Sequence, residues 1–207
     1  MVEEDELKFN ISLLGASRVG KSSMITRFKG YGFSETTIQT IGVENYIYKM
    51  TLDKKKCKFI IFDTAGQERY SRISRPTILL ANGFILVFDV ADDESFTNIN
   101  TWLELIKDSV NIEDKVIFLV GNKKDLTNRK ITKEKAEKFA KEKGINKYFE
   151  TSAKTGENIN EVFNEISKDI FDLYNKTAND DDDSIQKSFS LDESRDIIAT
   201  KKKRKCC

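Results

Sequence analysis

The sequence predicts an α/β fold, a three-layer α/β/α sandwich around a six-stranded, mostly parallel sheet with one antiparallel strand. Three observations carry this. From residue 8 onward, β-like apolar runs alternate with helix-like ones, and the whole chain contains a single proline. The runs Gly83–Phe88 and Val116–Val120 are continuously apolar, as strands covered by helices on both faces are. A short polar connection, Asp53-Lys54-Lys55, joins two strand candidates at about 43–52 and 56–62, which reads as an antiparallel hairpin.

Taken in order, Lys8–Leu14 is the first β-like run and Ser23–Phe28 the first helix-like one. Residues 33–40 are polar without a clear period, and the hairpin strands follow. Between the two apolar strands, Phe96, Ile99, Trp102, Leu103 and Ile106 recur at three- and four-residue steps and give one apolar helical stripe. A charged helix is expected over Thr132–Lys143, ending at Gly144. A last helix carries Ile159, Val162, Phe163, Ile166 and Ile170 on one face. No internal repeat is present. From about Thr177 the chain has too little regular apolar pattern to pack, starting with Asp180-Asp181-Asp182-Asp183, so disorder is expected there. The expected organisation is an extension over 1–7, a domain over 8–175 and a flexible tail over 176–207.

Composition removes several kinds of chemistry. There is no histidine, which excludes Ser-His-Asp and Cys-His catalysis and imidazole zinc sites. Three cysteines, two of them adjacent at the end, do not make a disulfide framework, and Cys57 reads as a buried apolar residue. The 35 basic and 34 acidic residues nearly cancel, so no global field recruits nucleic acid. No apolar run reaches membrane-spanning length, the acidic start is not a signal peptide, and Val2 excludes N-myristoylation.

The segment Gly15-Ala-Ser-Arg-Val-Gly-Lys-Ser22, between a strand and a helix, reads as a phosphate-binding loop. Its glycines permit turns that a Cβ would obstruct, and its amides converge on an anion at a helix start. Lys21 reaches the outer phosphates as a point charge, and the Ser22 hydroxyl is placed for Mg2+. The alternative is a glycine turn before an ordinary helix. In such sheets, ligands sit beyond the carboxyl ends of strands. Polar segments stand at three further ends: Asp63-Thr-Ala-Gly-Gln-Glu68, Gly121-Asn-Lys-Lys-Asp125 and Glu150-Thr-Ser-Ala-Lys154. Asp63 suits the outer shell of a magnesium ion, the Gly66 amide a terminal phosphate, and Gln67 an attacking water. Asp125 offers two acceptors to a base edge with two adjacent donors, which guanine has and adenine lacks; such sites discriminate by about 10⁴–10⁵. Asn122 braces the loops, the Lys123 stem lies along the base, the Ala153 amide donates to the guanine carbonyl, and Phe33 packs on base or sugar. Singly, each segment also reads as a cap or a solvated turn.

The order of these segments resembles a small GTPase of the Ras superfamily, a P-loop NTPase, over residues 8 to about 175. Thr40-Ile-Gly-Val-Glu44, Gln67-Glu-Arg-Tyr70 and the terminal Cys206-Cys207 resemble its Rab branch. The resemblance implies GTP hydrolysis to GDP, slow without an activating protein, with Lys21, Thr40 and Gln67 as catalytic residues. It implies nucleotide contacts from Ser17, Arg18, Val19, Gly20, Lys21, Ser22, Ser23, Phe33, Thr40, Gly66, Asn122, Lys123, Asp125, Ser152, Ala153 and Lys154. Mg2+ would be held by Ser22 and Thr40, with Asp63 in the outer shell. Switch regions would span about 33–45 and 64–80. Geranylgeranyl groups on Cys206 and Cys207, beside Lys201–Lys205, would anchor the chain to the cytoplasmic face of an intracellular membrane, with a soluble cytosolic pool. The implied partners are exchange factor, GAP, GDP-dissociation inhibitor, prenylation machinery and effectors for vesicle traffic, and no nucleic acid.

Some positions depart from the Rab pattern: Asn45 stands where phenylalanine is usual, Phe62 where tryptophan is, and Thr77-Ile-Leu-Leu80 where Tyr-Tyr-Arg-Gly is. Arg18 stands where a small residue is common; it either faces solvent or contacts nucleotide or switch I. The rival readings are a P-loop kinase, which would not predict Asn122-Lys-Lys-Asp125 or the terminal cysteines, and a non-hydrolysing GTP-bound scaffold, against which Gln67 and Thr40 speak.

Overall fold

Alternating apolar runs fold in the computed structural model into six strands and their connecting helices. The structure describes residues 6–34, 43–64 and 71–178, with side chains from 75 onward in the last of these segments. Two units are distinguished, Met1–Ile170 and Phe171–Cys207. In the second, residues 171–178 are helical.

The first unit runs β1 (Leu7–Leu14), α1 (Lys21–Phe28), β2 (Val43–Leu52), β3 (Lys55–Thr64), α2 (Ser71–Leu80), β4 (Gly83–Asp89), α3 (Asp93–Thr97), α4 (Ile99–Lys107), β5 (Val116–Asn122), α5 (Lys133–Lys143), β6 (Lys147–Glu150) and α6 (159–170). The strand order is β2-β3-β1-β4-β5-β6. All neighbours are parallel except β2 and β3. Leaving β1, the chain builds one side of the sheet and then crosses to the other, so the carboxyl end of β1 is the switch point where such sheets bind ligands.

Both faces of the central strands are buried, which explains their unbroken apolar runs. Leu14, Phe84, Leu86, Phe88, Ile117 and Leu119 pack with Ile78 of α2, with α3 and α4, and with Ala136 and Ala140 of α5. The residues between them in sequence, Ile11, Leu13, Ile85, Val87, Phe118 and Val120, are also fully buried. On the flank of β2 and β3, Phe28 of α1 stacks on Phe163 of α6 with centroids 4.4 Å apart, and meets Tyr48 edge-on at 5.0 Å. Cys57 is buried, as an apolar residue would be.

Element ends follow local chemistry. Thr132 caps α5 by accepting from the Lys135 amide at 3.2 Å, and Gly144 closes it in the left-handed conformation. The hairpin pairs Leu52 with Lys55, so its turn is two residues, Asp53 and Lys54, both at positive φ. Lys55, expected in the connection, belongs to β3. The stripe from Phe96 to Ile106 is buried as expected but divides into α3 and α4 at Asn98. Polar side chains there bond the backbone, Thr97 Oγ1 to the Asp93 carbonyl and Asn100 Nδ2 to the Thr97 carbonyl. Helix α2, not among the expected helices, contains Pro76. It is held by tertiary contacts: Ile78 is fully buried, and Asn10 Nδ2 donates to the Leu80 carbonyl at 2.9 Å.

Candidate nucleotide-binding site

The loop between β1 and α1 has its glycines where the backbone needs them. Gly15 holds φ +148°, and a Cβ there would stand 2.1 Å from the Val87 carbonyl oxygen. Gly20 holds φ +99°, and a side chain at that position would bring its Cβ within 2.3 Å of Asn122 Nδ2. Gly20 is also the N-cap of α1; no side chain caps the helix and no acidic residue stands in its first turn. The amides at the start of α1 therefore form an electropositive end without a protein carboxylate in the first turn.

Lys21, the first residue of α1, is 5% exposed. Its Nζ donates to the Gly15 and Ala16 carbonyls at 2.8 and 2.9 Å. Burial pulls its pKa down to about 8, against the opposing charge of Asp63. Asp63, next to last in β3, is equally buried. Desolvation raises its pKa, against a hydrogen bond with the Ser22 side chain and the Lys21 charge. Its Oδ1 has no hydrogen-bond partner. A buried carboxylate oxygen without a partner, beside a hydroxyl, matches the oxygen donors that a hard dication requires.

At the carboxyl end of β5, Asn122 is buried and both ends of its amide are bonded. Nδ2 donates to the Val19 carbonyl at 2.8 Å, and Oδ1 accepts from Thr151 Oγ1 and the Ala153 amide, both at 3.2 Å. This is the bracing expected of it, and it also occupies the Ala153 amide expected on guanine. Asp125 is exposed, and one of its oxygens accepts from Ser152 Oγ at 2.5 Å. The Lys124 amide donates to the Thr151 carbonyl at 3.0 Å, closing this corner. Lys123 adopts φ 65° and pairs with Asp89 at 2.7 Å.

The structure thus brings together Val19, Gly20, Asn122, Thr151 and Ala153, and separately Lys21, Ser22 and Asp63. Ser17, Ser23 and Lys123 are half-buried, and Arg18 and Lys154 are exposed. Phe33 is 39% exposed. Thr40, Gly66, Gln67, Cys206 and Cys207 lie outside the described residues.

Two supports escaped the sequence reading. Asp89 ends β4, so the rule that drew attention to the other strand ends applied to it too. Arg129 grips Glu150 through both guanidinium nitrogens, one at 3.1 Å, while Tyr148 Oη donates to the same carboxylate at 2.9 Å. Burial pushes Glu150 up, but Arg129 and Tyr148 outweigh it and hold its pKa below the usual carboxylate value. Nothing in the spacing of Arg129 announces that contact.

A family model described as "Ras family" matches residues 10–172. Ras-related protein Rab-13 of Mesocricetus auratus is 42% identical over 165 residues, 78% of this chain and 79% of that protein. Human Ras-related protein Rab-8B is 38% identical over 181 residues, 87% and 86%. Ras-related protein Rab-1D of Dictyostelium discoideum is 42% identical over 171 residues, 82% and 83%.

Proposed function

The chain belongs to the Ras family as a Rab-like small GTPase of vesicle traffic that hydrolyses GTP, and on that premise we propose how its residues divide the work. The loop from Ser17 to Ser23 wraps the phosphates, with Lys21 on the outermost ones. Ser22 and Thr40 would hold Mg2+, with Asp63 outside them, and the ion would supply positive charge to the phosphates. Gln67 orients the attacking water, and Gly66 meets the γ-phosphate through its amide. Asp125 reads the two donors of guanine, Lys123 and Phe33 flank the base and sugar, and the Ser152–Lys154 backbone closes over it.

The observation that carries this division is the double attachment of Asn122. One side chain bonds the phosphate loop through Val19 and the base-reading corner through Thr151 and Ala153. Phosphate binding and base selection are thereby coupled in one rigid unit. Loss of the γ-phosphate releases the segments around Thr40 and Gly66, which makes the chain a switch. Regulators, effectors and the prenylation machinery read that switch, and lipids on Cys206 and Cys207, reinforced by Lys201–Lys205, place it on a cytoplasmic membrane face. The extension, domain and tail keep the proposed limits of 1–7, 8–175 and 176–207.

Single-turnover hydrolysis tests the first half of this reading. Gln67→Leu is expected to keep GTP binding and lose most turnover, and an unchanged rate would refute its role. For the second half, Cys206→Ser with Cys207→Ser is expected to leave the protein cytosolic. Membrane recovery equal to wild type would show that the cysteines do not anchor it.

A further inference from the structure

Helix α1 starts at the phosphate loop and ends beside the loop between β6 and α6. Its first residue, Lys21, is buried and bonded to the Gly15 and Ala16 carbonyls. Its last turn carries Arg27, about 9 Å further along the axis. That arginine is half-buried, and its Nη2 donates to the Thr155 carbonyl at 2.9 Å across 128 residues of chain. Gly156 forms the seat for the guanidinium. It holds φ +89°, and a Cβ there would stand 2.7 Å from Arg27 Nε and 3.1 Å from Nη2. Glycine is thus required twice, by the backbone and by the side chain laid against it.

The bonds continue from there without a gap. Thr155, whose carbonyl accepts from Arg27, donates its own amide to Ser152 Oγ at 3.1 Å. Ser152 Oγ donates in turn to Asp125 at 2.5 Å. The Gly156 amide closes the turn on the Ser152 carbonyl at 2.8 Å. Arg27 is therefore joined by a chain of hydrogen bonds to the carboxylate that reads the base. Asp125 is exposed, so its direction is set by its hydrogen bonds rather than by packing, and Ser152 beneath it is fully buried. A guanidinium suits the far end of such a chain, because it is planar, always charged and loses little freedom per bond formed.

We propose that Arg27 is a positioning residue for base selection: it fixes the Thr155–Gly156 turn against α1 and, through Ser152, aims Asp125 at the guanine edge. This rests on the GTPase reading above, which places Asp125 on the base and gives Arg27 no part. Because α1 also carries Lys21 and Ser22, the helix becomes a strut that sets the spacing between phosphates and base. It acts through other atoms than the Asn122 brace does.

The test uses the full chain loaded with fluorescent GDP, for wild type, Arg27→Met and Arg27→Lys. Release is measured with and without chelation of Mg2+, and preference by displacement with unlabelled GDP and ADP. Losing one charge-assisted bond at a half-buried site corresponds to release about three- to tenfold faster in Arg27→Met. Its preference for GDP over ADP should fall by a comparable factor. Arg27→Lys is expected in between, since it keeps a donor for Thr155 and loses the plane over Gly156. The acceleration caused by chelating Mg2+ should match wild type, because the phosphate end of α1 keeps its contacts. Should Arg27→Met fail to fold, the same readings are taken on Arg27→Lys. Wild-type release and preference in the variant overturn the proposal while leaving the GTPase reading intact. Faster release with unchanged preference overturns it as well, since Arg27 would then steady the fold and not the base corner. A wild-type chain that holds no guanine nucleotide overturns both.

Discussion

The side-chain amide of Asn122 donates to the Val19 carbonyl oxygen at 2.8 Å, tying the end of β5 to the phosphate loop across 103 residues of chain. Asn122 is 1% exposed, so its partners have no water to fall back on. Asn122→Ala leaves three buried polar groups short of a bond, and each such group costs about 1–3 kcal/mol. Urea unfolding is expected to show a loss of at least about 2 kcal/mol, and GDP affinity to fall at least about tenfold because both halves of the site lose their brace. Stability within about 0.5 kcal/mol of wild type would mean that the network is not coupled as described.

Gly15 and Gly30 both hold positive φ, yet they predict different costs. At Gly30 a Cβ meets nothing within 4 Å, so Gly30→Ala carries only the conformational penalty, about 1 kcal/mol. At Gly15 the Cβ would meet the Val87 main chain at 2.1 Å, which cannot move without disturbing β4. Gly15→Ala is therefore expected to cost clearly more than Gly30→Ala and to abolish nucleotide binding. Equal melting temperatures for the two variants would contradict this account of the loop.

Much of this is legible in the sequence. The antiparallel pairing of β2 with β3 and the strand-end motifs follow from period and spacing, because apolar burial and backbone turns are set locally; the order of the strands in the sheet does not. Contacts that depend on tertiary packing are not legible. Helix α2 contains Pro76 and survives because Ile78 is buried, a fact no local propensity records. Arg129 meets Glu150 only because the fold brings the loop before α5 against the end of β6, 21 residues apart. Asp89 is within reach of sequence reasoning, being the last residue of a strand, but no glycine or motif residue follows it to draw attention.

Arg129→Leu leaves the Glu150 carboxylate, 9% exposed, with the Tyr148 hydroxyl but without its cation. The expected loss near neutral pH is about 2–3 kcal/mol. In the wild type the carboxyl is held below its ordinary 4.5, so its contribution is fully present above that value and fades as pH falls through the lower, folded-state value. In the variant, burial raises the carboxyl instead, and acid relieves it. The stability gap between wild type and Arg129→Leu should accordingly narrow below about pH 4.5 in acid-unfolding curves. A gap independent of pH would show that Arg129 acts through packing alone.

Asp63 carries a buried charge with one oxygen unpartnered. Replacing it with isosteric Asn removes a charge that burial penalises but also the partner of Lys21, so the nucleotide-free fold is expected to shift by less than about 1 kcal/mol. The effect belongs in metal dependence. Chelating Mg2+ should accelerate GDP release strongly in wild type and much less in Asp63→Asn. The same acceleration in both would remove Asp63 from the metal's surroundings.

Most directly tested of all is that separated segments form one guanine-reading pocket, with Asp125 as the reader. The measurement is displacement of fluorescent GDP by unlabelled GDP, ADP and XDP, for wild type and Asp125→Asn. Wild type should prefer GDP to ADP by at least about 10⁴, and Asp125→Asn, which exchanges an acceptor for a donor, should turn toward XDP, whose base carries an oxygen where guanine has its amino group. ADP competing on equal terms with GDP, or an order of preference unchanged in Asp125→Asn, would contradict the account.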